Sequence, residues 1–110
     1  MRVEQSRAEI FAASVPAISS EVFDLIAAGC IPGGSRDNLA YANGFTDWVG
    51  VTEAQKTLLT DAQTSGGLLL CVPPKNDKAV MKRLEKAGTL CAAVIGSIVR
   101  SSKPRVRVRA

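Results

Sequence analysis

Two short polar segments hold most of the residue types that could contact a ligand. Residues 32–38 read PGGSRDN and combine two glycines with a hydroxyl, a guanidinium and an amide. Residues 61–67 read DAQTSGG and present a carboxylate, an amide and two hydroxyls. Glycine lets a ligand approach the backbone, and backbone N–H groups with nearby hydroxyls can hold phosphate oxygens. These segments are therefore our candidates for chemistry, with an ordinary turn as the alternative for each.

Other kinds of site are excluded by residue usage. The chain has no histidine, and its three cysteines, Cys30, Cys71 and Cys91, are widely spaced, so no zinc-knuckle spacing and no histidine-activated nucleophile exist. The lysine of a P-loop and the glycines of a dinucleotide fingerprint are also missing. Cys71 and Cys91 lie in apolar stretches, which predicts small buried side chains rather than reactive thiols. We assign no catalytic residue and no metal ligand.

The charge pattern argues against a nucleic-acid partner. The 110 residues carry a net charge of +4, but five basic residues and no acid follow Val99, whereas residues 1–98 hold nine bases and ten acids. The body is therefore nearly neutral, and the alternating Arg and Val of 105–109 predict an edge strand with a charged outer face. No apolar run reaches the roughly 20 residues of a membrane span, and no apolar signal region is visible. We expect a cytoplasmic protein.

Length and periodicity predict one α+β domain over residues 1–110. The 46% hydrophobic content includes 15 alanines, three Phe, one Trp and one Tyr, so the core should be lean. Helices are expected from Ser19 to Gly29, from a Thr52 and Gln55 capping box through Leu59, and from Asn76 or Asp77 through Ala87. Strands are expected over 7–15, 45–51, 68–72, 90–99 and 105–109.

Three details of this pattern are specific enough to test. The apolar run of 68–72, between Gly66-Gly67 and Pro73-Pro74, is typical of a strand buried on both faces at the centre of a sheet. Residues 30–38 are rich in turn formers and predict a loop. Gly96 indicates a bulge or a close backbone approach. Together the elements predict an α/β (α+β) sandwich with a mixed or mainly antiparallel sheet and helices packed on it.

At these residues the chain resembles a known family. GCIPGGSRDN, then LLTDAQTSGGLLLCV, then AAVIGSIV closely resemble the C-terminal domain of selenophosphate synthetase (selenide, water dikinase), in the family that includes aminoimidazole ribonucleotide synthetase. The resemblance covers about 8–108. Ser35 stands where the family pattern PGGTxxN has Thr and keeps the hydroxyl, and DAQTSGG is one of two common forms of the second motif. The implied fold is that of the AIR synthase C-terminal domain.

The resemblance implies an ATP-dependent enzyme that makes selenophosphate from selenide, with AMP and orthophosphate as the other products and Mg²⁺ neutralising phosphate charge. The family's N-terminal catalytic domain, with its reactive cysteine or selenocysteine, and the DVTGFGLLGH-like opening helix of its C-terminal domain have no counterpart in this sequence. We therefore expect an N-terminally truncated C-terminal domain with little kinase activity of its own and no tight binding of ATP or Mg²⁺. Asp61 has no partner carboxylate in its motif, so we do not predict it as a metal ligand.

Eight residues of the two motifs are candidates for lining the family's inter-domain cleft, where they would contact phosphate or close over it. They are Gly33, Gly34, Ser35, Asn38, Thr64, Ser65, Gly66 and Gly67. The alternative is that both segments only fix turns and brace the sheet. A second hypothesis makes the chain a non-catalytic module that docks on an N-terminal catalytic domain or forms a homo-oligomer such as a dimer.

Overall fold

The computed structural model describes residues 5–110, and its centre is a four-stranded mixed sheet. The strands are β1 (Ser6–Phe11), β2 (Thr46–Val49), β3 (Gly96–Arg100) and β4 (Val106–Arg109), in the order β2-β4-β1-β3. β1 runs antiparallel to β3, whereas β4 runs parallel to both β1 and β2. This arrangement confirms the expected α+β class with a mixed sheet.

Four helices accompany the sheet, and two 3-10 turns, Ala12–Ser14 and Pro74–Asn76, connect elements. The helices are α1 (Glu21–Ala27), α2 (Gly33–Asn43), α3 (Glu53–Leu59) and α4 (Asp77–Lys86). The Thr52 and Gln55 capping box is confirmed at the start of α3, where each side chain accepts a hydrogen bond from the other residue's backbone amide. Within residues 5–110, no helix is both long and apolar enough to cross a membrane.

The two faces of the sheet differ in polarity because side chains alternate along each strand. One side, here called the apolar face, carries Ala8, Ile10, Trp48, Ile98 and Val106. The opposite side, here called the charged face, carries Arg7, Glu9, Asp47, Arg107 and Arg109. Helices α2 and α3 meet the apolar face at Trp48: its Nε1 donates to Asn43 Oδ1 at 2.8 Å, and Lys56 Nζ lies 5.7 Å from its ring centroid.

The core is lean, as the composition predicts. Among the described residues, the buried apolar side chains are those of Val108, 3% exposed, and Ala12, 8% exposed. The Gly96 prediction is also confirmed, since a Cβ at this position would overlap the Glu9 carbonyl on β1. Only a glycine therefore lets β3 start its antiparallel pairing at this point of β1.

The loop predicted over 30–38 is wrong, because α2 begins at Gly33. Pro32 is extended and precedes the helix, and its carbonyl accepts hydrogen bonds from the Ser35 and Arg36 amides at the start of α2. The predicted ends of two strands also move. β1 stops at Phe11 rather than residue 15, and β3 starts at Gly96 rather than residue 90.

The prediction of a central buried strand over 68–72 is wrong. These residues form no strand ladder in the described part of the chain, and Leu68 is 91% exposed. The positions at the sheet centre belong to β1 and β4, which pair with each other. An apolar run shows that burial would be favourable, but it does not supply the neighbouring strands that a central strand needs on both sides.

Two further predictions are corrected. Cys71 and Cys91 are exposed, as is Cys30, because the apolar stretches around them do not enter the core. Strand β4 is not an edge strand, since it lies between β1 and β2. Its arginines are accommodated there because Glu9 and Asp47 of the neighbouring strands lie beside them on the charged face.

Candidate functional site

The two motifs predicted to carry chemistry meet at Ser35. This side chain is 1% exposed, and its Oγ donates to Asp61 Oδ1 at 2.5 Å while accepting a hydrogen bond from the Ala62 amide at 2.9 Å. A buried hydroxyl with both a donor and an acceptor partner is satisfied within the protein. Ser35 therefore fixes the start of the second motif against the first turn of α2.

Two neighbouring residues tighten the same junction. Asn38 Nδ2 donates to the carbonyl of Thr60, the C-cap of α3, at 3.1 Å. A Cβ added at Gly34 would lie 3.4 Å from the Ala62 Cβ, an ordinary contact distance, so the backbone of α2 passes close to Ala62. The start of α2 is thus joined to residues 60–62 by the side chains of Ser35 and Asn38 and by the close approach of Gly34 to Ala62.

The second half of the site is open to solvent. Thr64, Ser65, Gly66 and Gly67 are exposed and lie in irregular structure after the junction, with a bend at Thr64 and Ser65. Gly33, Gly34 and Asn38 are exposed as well. The structure therefore joins the first motif to Asp61 and Ala62, and leaves the hydroxyls and glycines of 64–67 available at the surface.

An apolar groove of about 220 Å³ opens beside the junction, between α1 and α3. Val22, Leu25 and Ile26 of α1 form one wall, and the rest of the lining includes Pro32, Leu58 and Asp61. Asp61 is the only acidic group among the residues of this wall, and Ser35 holds its carboxylate. The groove thus combines an apolar surface with one carboxylate, of which Oδ1 accepts a hydrogen bond from Ser35.

Sequence reasoning did not assign a role to Asp61, which the structure makes the acceptor at the centre of the junction. Ser35 and Asp61 are 26 positions apart. Ser35 lies in the first turn of α2 and Asp61 follows the C-cap of α3, and no sequence periodicity relates these two positions. Within residues 5–110, no three acidic or cysteine side chains lie close enough together to hold a metal ion. Contact of the eight candidate residues with a nucleotide stays a prediction.

Comparison with known proteins identifies a family whose model matches nearly the whole chain. Residues 4–109 match the model of the AIR synthase related protein, C-terminal domain. A selenide, water dikinase of Carboxydothermus hydrogenoformans is 33% identical over 110 residues, covering 99% of this chain and 31% of that protein.

Two other relatives agree with this match. A selenide, water dikinase of Myxococcus xanthus is 38% identical over 109 residues, covering 98% of this chain and 30% of that protein. One of Photobacterium profundum is 46% identical over 71 residues, covering 64% of the chain and 19% of that protein. The chain thus spans about a third or less of the curated relatives it matches, and it belongs to the AIR synthase related C-terminal domain family, with selenide, water dikinases as its relatives.

Proposed function

We propose that this chain is the C-terminal part of an ATP-dependent selenide, water dikinase, which converts selenide, ATP and water to selenophosphate, AMP and orthophosphate. The observation that carries the proposal is the junction at Ser35, which joins the two motifs that the chain shares with that family. The printed names of the relatives support the choice of reaction.

In this proposal the junction holds the exposed segment 64–67 at the mouth of an inter-domain cleft. Thr64 and Ser65 would supply hydroxyls, and the backbone amides of Gly66 and Gly67 would face phosphate oxygens. Ser35, whose hydroxyl is already occupied by Asp61 and Ala62, would position this segment rather than touch phosphate. We place the Mg²⁺ ligands and the selenium-handling residue on the N-terminal catalytic domain, so this chain alone should have little activity.

A domain exchange tests the proposal. The C-terminal third of the Carboxydothermus hydrogenoformans relative would be replaced by this chain, and selenide-dependent AMP formation measured beside the parent enzyme and the isolated chain. We expect activity from the parent and from the chimera, and little from the chain alone. A chimera that folds and lacks activity beside an active parent, or a chain that forms AMP by itself, would contradict the proposal.

A second candidate function, a non-catalytic docking or dimerisation module, is favoured by one observation. A groove of about 560 Å³ lies over one end of the apolar face and is lined by Ala8, Phe45, Cys71, Ile98 and Val106. Phe45 and Ile98 are well exposed there, and exposed apolar surface of this kind is typical of interaction sites. Sedimentation of the chain, alone and with the N-terminal part of the relative, separates the two functions. A complex that forms without AMP production favours the module.

A further inference from the structure

The charged face gathers three arginines around one carboxylate. Glu9 Oε1 accepts from Arg7 at 2.6 Å and Glu9 Oε2 accepts from Arg109 at 3.1 Å, while Arg107 Nη1 lies 3.9 Å from Oε1. Partial burial would raise the pKa of Glu9, but hydrogen bonds from Arg7 and Arg109 outweigh it and hold the pKa below its usual value. Glu9 is therefore charged, and its single negative charge lies beside the three positive charges of Arg7, Arg107 and Arg109.

The second carboxylate on this face does not remove the excess. Asp47 accepts from Arg105 Nη2 at 2.8 Å and from Arg105 Nε at 3.1 Å. The Asp47 carboxylate and the Arg105 guanidinium are therefore paired with each other. Within residues 5–110, four arginines thus surround the two carboxylates of Glu9 and Asp47: Arg7, Arg105, Arg107 and Arg109. The surplus positive charge falls on Arg107 and Arg109, which follow each other at alternate positions of β4.

Arg107 also has an unused donor. Its Nε is buried and has no hydrogen-bond acceptor among residues 5–110, although the side chain as a whole is 29% exposed. Arg109 is 44% exposed. Side chains two residues apart on a strand are separated by about 6.6 Å, a span that one tetrahedral oxyanion between two guanidinium groups can bridge.

We propose that Arg107 and Arg109 on the charged face bind a small doubly charged oxyanion, either inorganic phosphate or the phosphate of a nucleotide. The ligand contacts the solvent-exposed parts of the Arg107 and Arg109 side chains and neutralises the surplus charge of the face. Glu9 competes for the same guanidinium groups, so it sets an upper limit on the affinity. This site is formed by strand residues and is independent of the motifs at 33–38 and 61–67 and of the proposed reaction.

The arginine Nε–H signals of the ¹⁵N-labelled chain report binding directly. Inorganic phosphate, AMP and adenosine would be titrated separately at constant ionic strength. We expect saturable movement of the Arg107 signal with phosphate, with AMP, or with both, and none with adenosine. Movement with phosphate alone identifies the free anion as the ligand, whereas tighter binding of AMP identifies a nucleotide. No movement with either anion, or equal movement with adenosine, overturns the proposal.

Variants with opposite expected effects complete the test. Arg107→Met should weaken phosphate binding about tenfold, the effect of losing one charge-assisted contact, whereas Glu9→Gln should tighten it about threefold by removing the competitor. Arg83→Met on α4 removes the same charge away from the sheet and should leave the affinity unchanged. Equal affinities for Arg107→Met and Arg83→Met contradict the proposal. If thermal unfolding shows that Arg107→Met is not folded, Glu9→Gln decides, and an unchanged or weaker affinity overturns it.

Discussion

Ser35 Oγ and Asp61 Oδ1 lie 2.5 Å apart and join residues 26 positions apart in the chain. Ser35 Oγ also accepts a hydrogen bond from the amide of Ala62, so one hydroxyl connects the first turn of α2 with the residues that follow α3. The exposed motif residues 64–67 begin two positions later. The geometry of that segment therefore depends on a buried serine that is not part of it.

Replacing Ser35 with Ala should destabilise the fold. The substitution leaves the half-buried Asp61 carboxylate and the Ala62 amide without this partner, which costs about 1–3 kcal/mol of unfolding free energy. Urea denaturation measures the change. Ser65→Ala, at an exposed position of the second motif, is the matched control and should change stability by less than about 0.5 kcal/mol. Equal stability of the two variants would show that the Ser35 bonds contribute nothing.

Gly96→Ala should disrupt the pairing of β1 with β3. The new Cβ would overlap the Glu9 carbonyl, so the strands must separate at this point, at a cost of about 2 kcal/mol or more. Gly67→Ala is the control, because a Cβ there has no atom within 4 Å. Thermal unfolding compares the two, and amide exchange should be faster along β3 in Gly96→Ala only. A Gly96→Ala protein as stable as the control would contradict this strand geometry.

Stability should fall in acid partly through Asp47. Hydrogen bonding from Arg105 holds the pKa of Asp47 below its ordinary value of 3.8. The unfolded state therefore takes up a proton before the folded state does, so the contribution is complete above pH 3.8 and is lost as the pH falls through the lower folded-state pKa. Urea unfolding from pH 7 to pH 2 should show a shallower acid decline for Asp47→Asn.

Arg105→Met should flatten the acid decline in the same way, because it removes the other member of the pair. Glu53→Gln provides the control, since its carboxylate is exposed and, among the residues that the structure describes, pairs only with Lys56 on the same helix. If the acid declines of Asp47→Asn and the unmodified chain coincide, the ion pair does not contribute to stability.

Leu68→Ser should have little effect on stability. The side chain is 91% exposed, and exposed substitutions usually change the unfolding free energy by less than about 0.5 kcal/mol. Val108→Ala, in the core of the sheet, should cost about 1–3 kcal/mol. Measuring both by urea denaturation distinguishes this arrangement from a central strand at 68–72. A loss at Leu68 equal to that at Val108 would place the run in the core.

The thiols of Cys30, Cys71 and Cys91 should all react in the folded chain, because all three are exposed. Titration with an aromatic disulfide reagent should count three thiols at similar rates, with and without urea. A cysteine that reacts only after urea is added would be buried, as the apolar context of Cys71 and Cys91 predicts. Single Cys→Ser variants identify which thiol is slow.

The sequence by itself determined the features that depend on neighbours along the chain. The Thr52 and Gln55 capping box, the glycines that follow α1 and α4, the lean core and the special role of Gly96 are all local, since propensity and capping act within a few residues. The mixed α+β class and the family relationship follow from the same local patterns and from the motifs.

The tertiary structure alone decided which residues meet. It placed β4 inside the sheet because Glu9 and Asp47 lie beside its arginines, and it left 68–72 outside because those positions have no strand partners. It also paired Ser35 with Asp61 and left Arg107 Nε without an acceptor. Each outcome depends on groups distant in sequence, whose energies are gained only after the chain has brought them together.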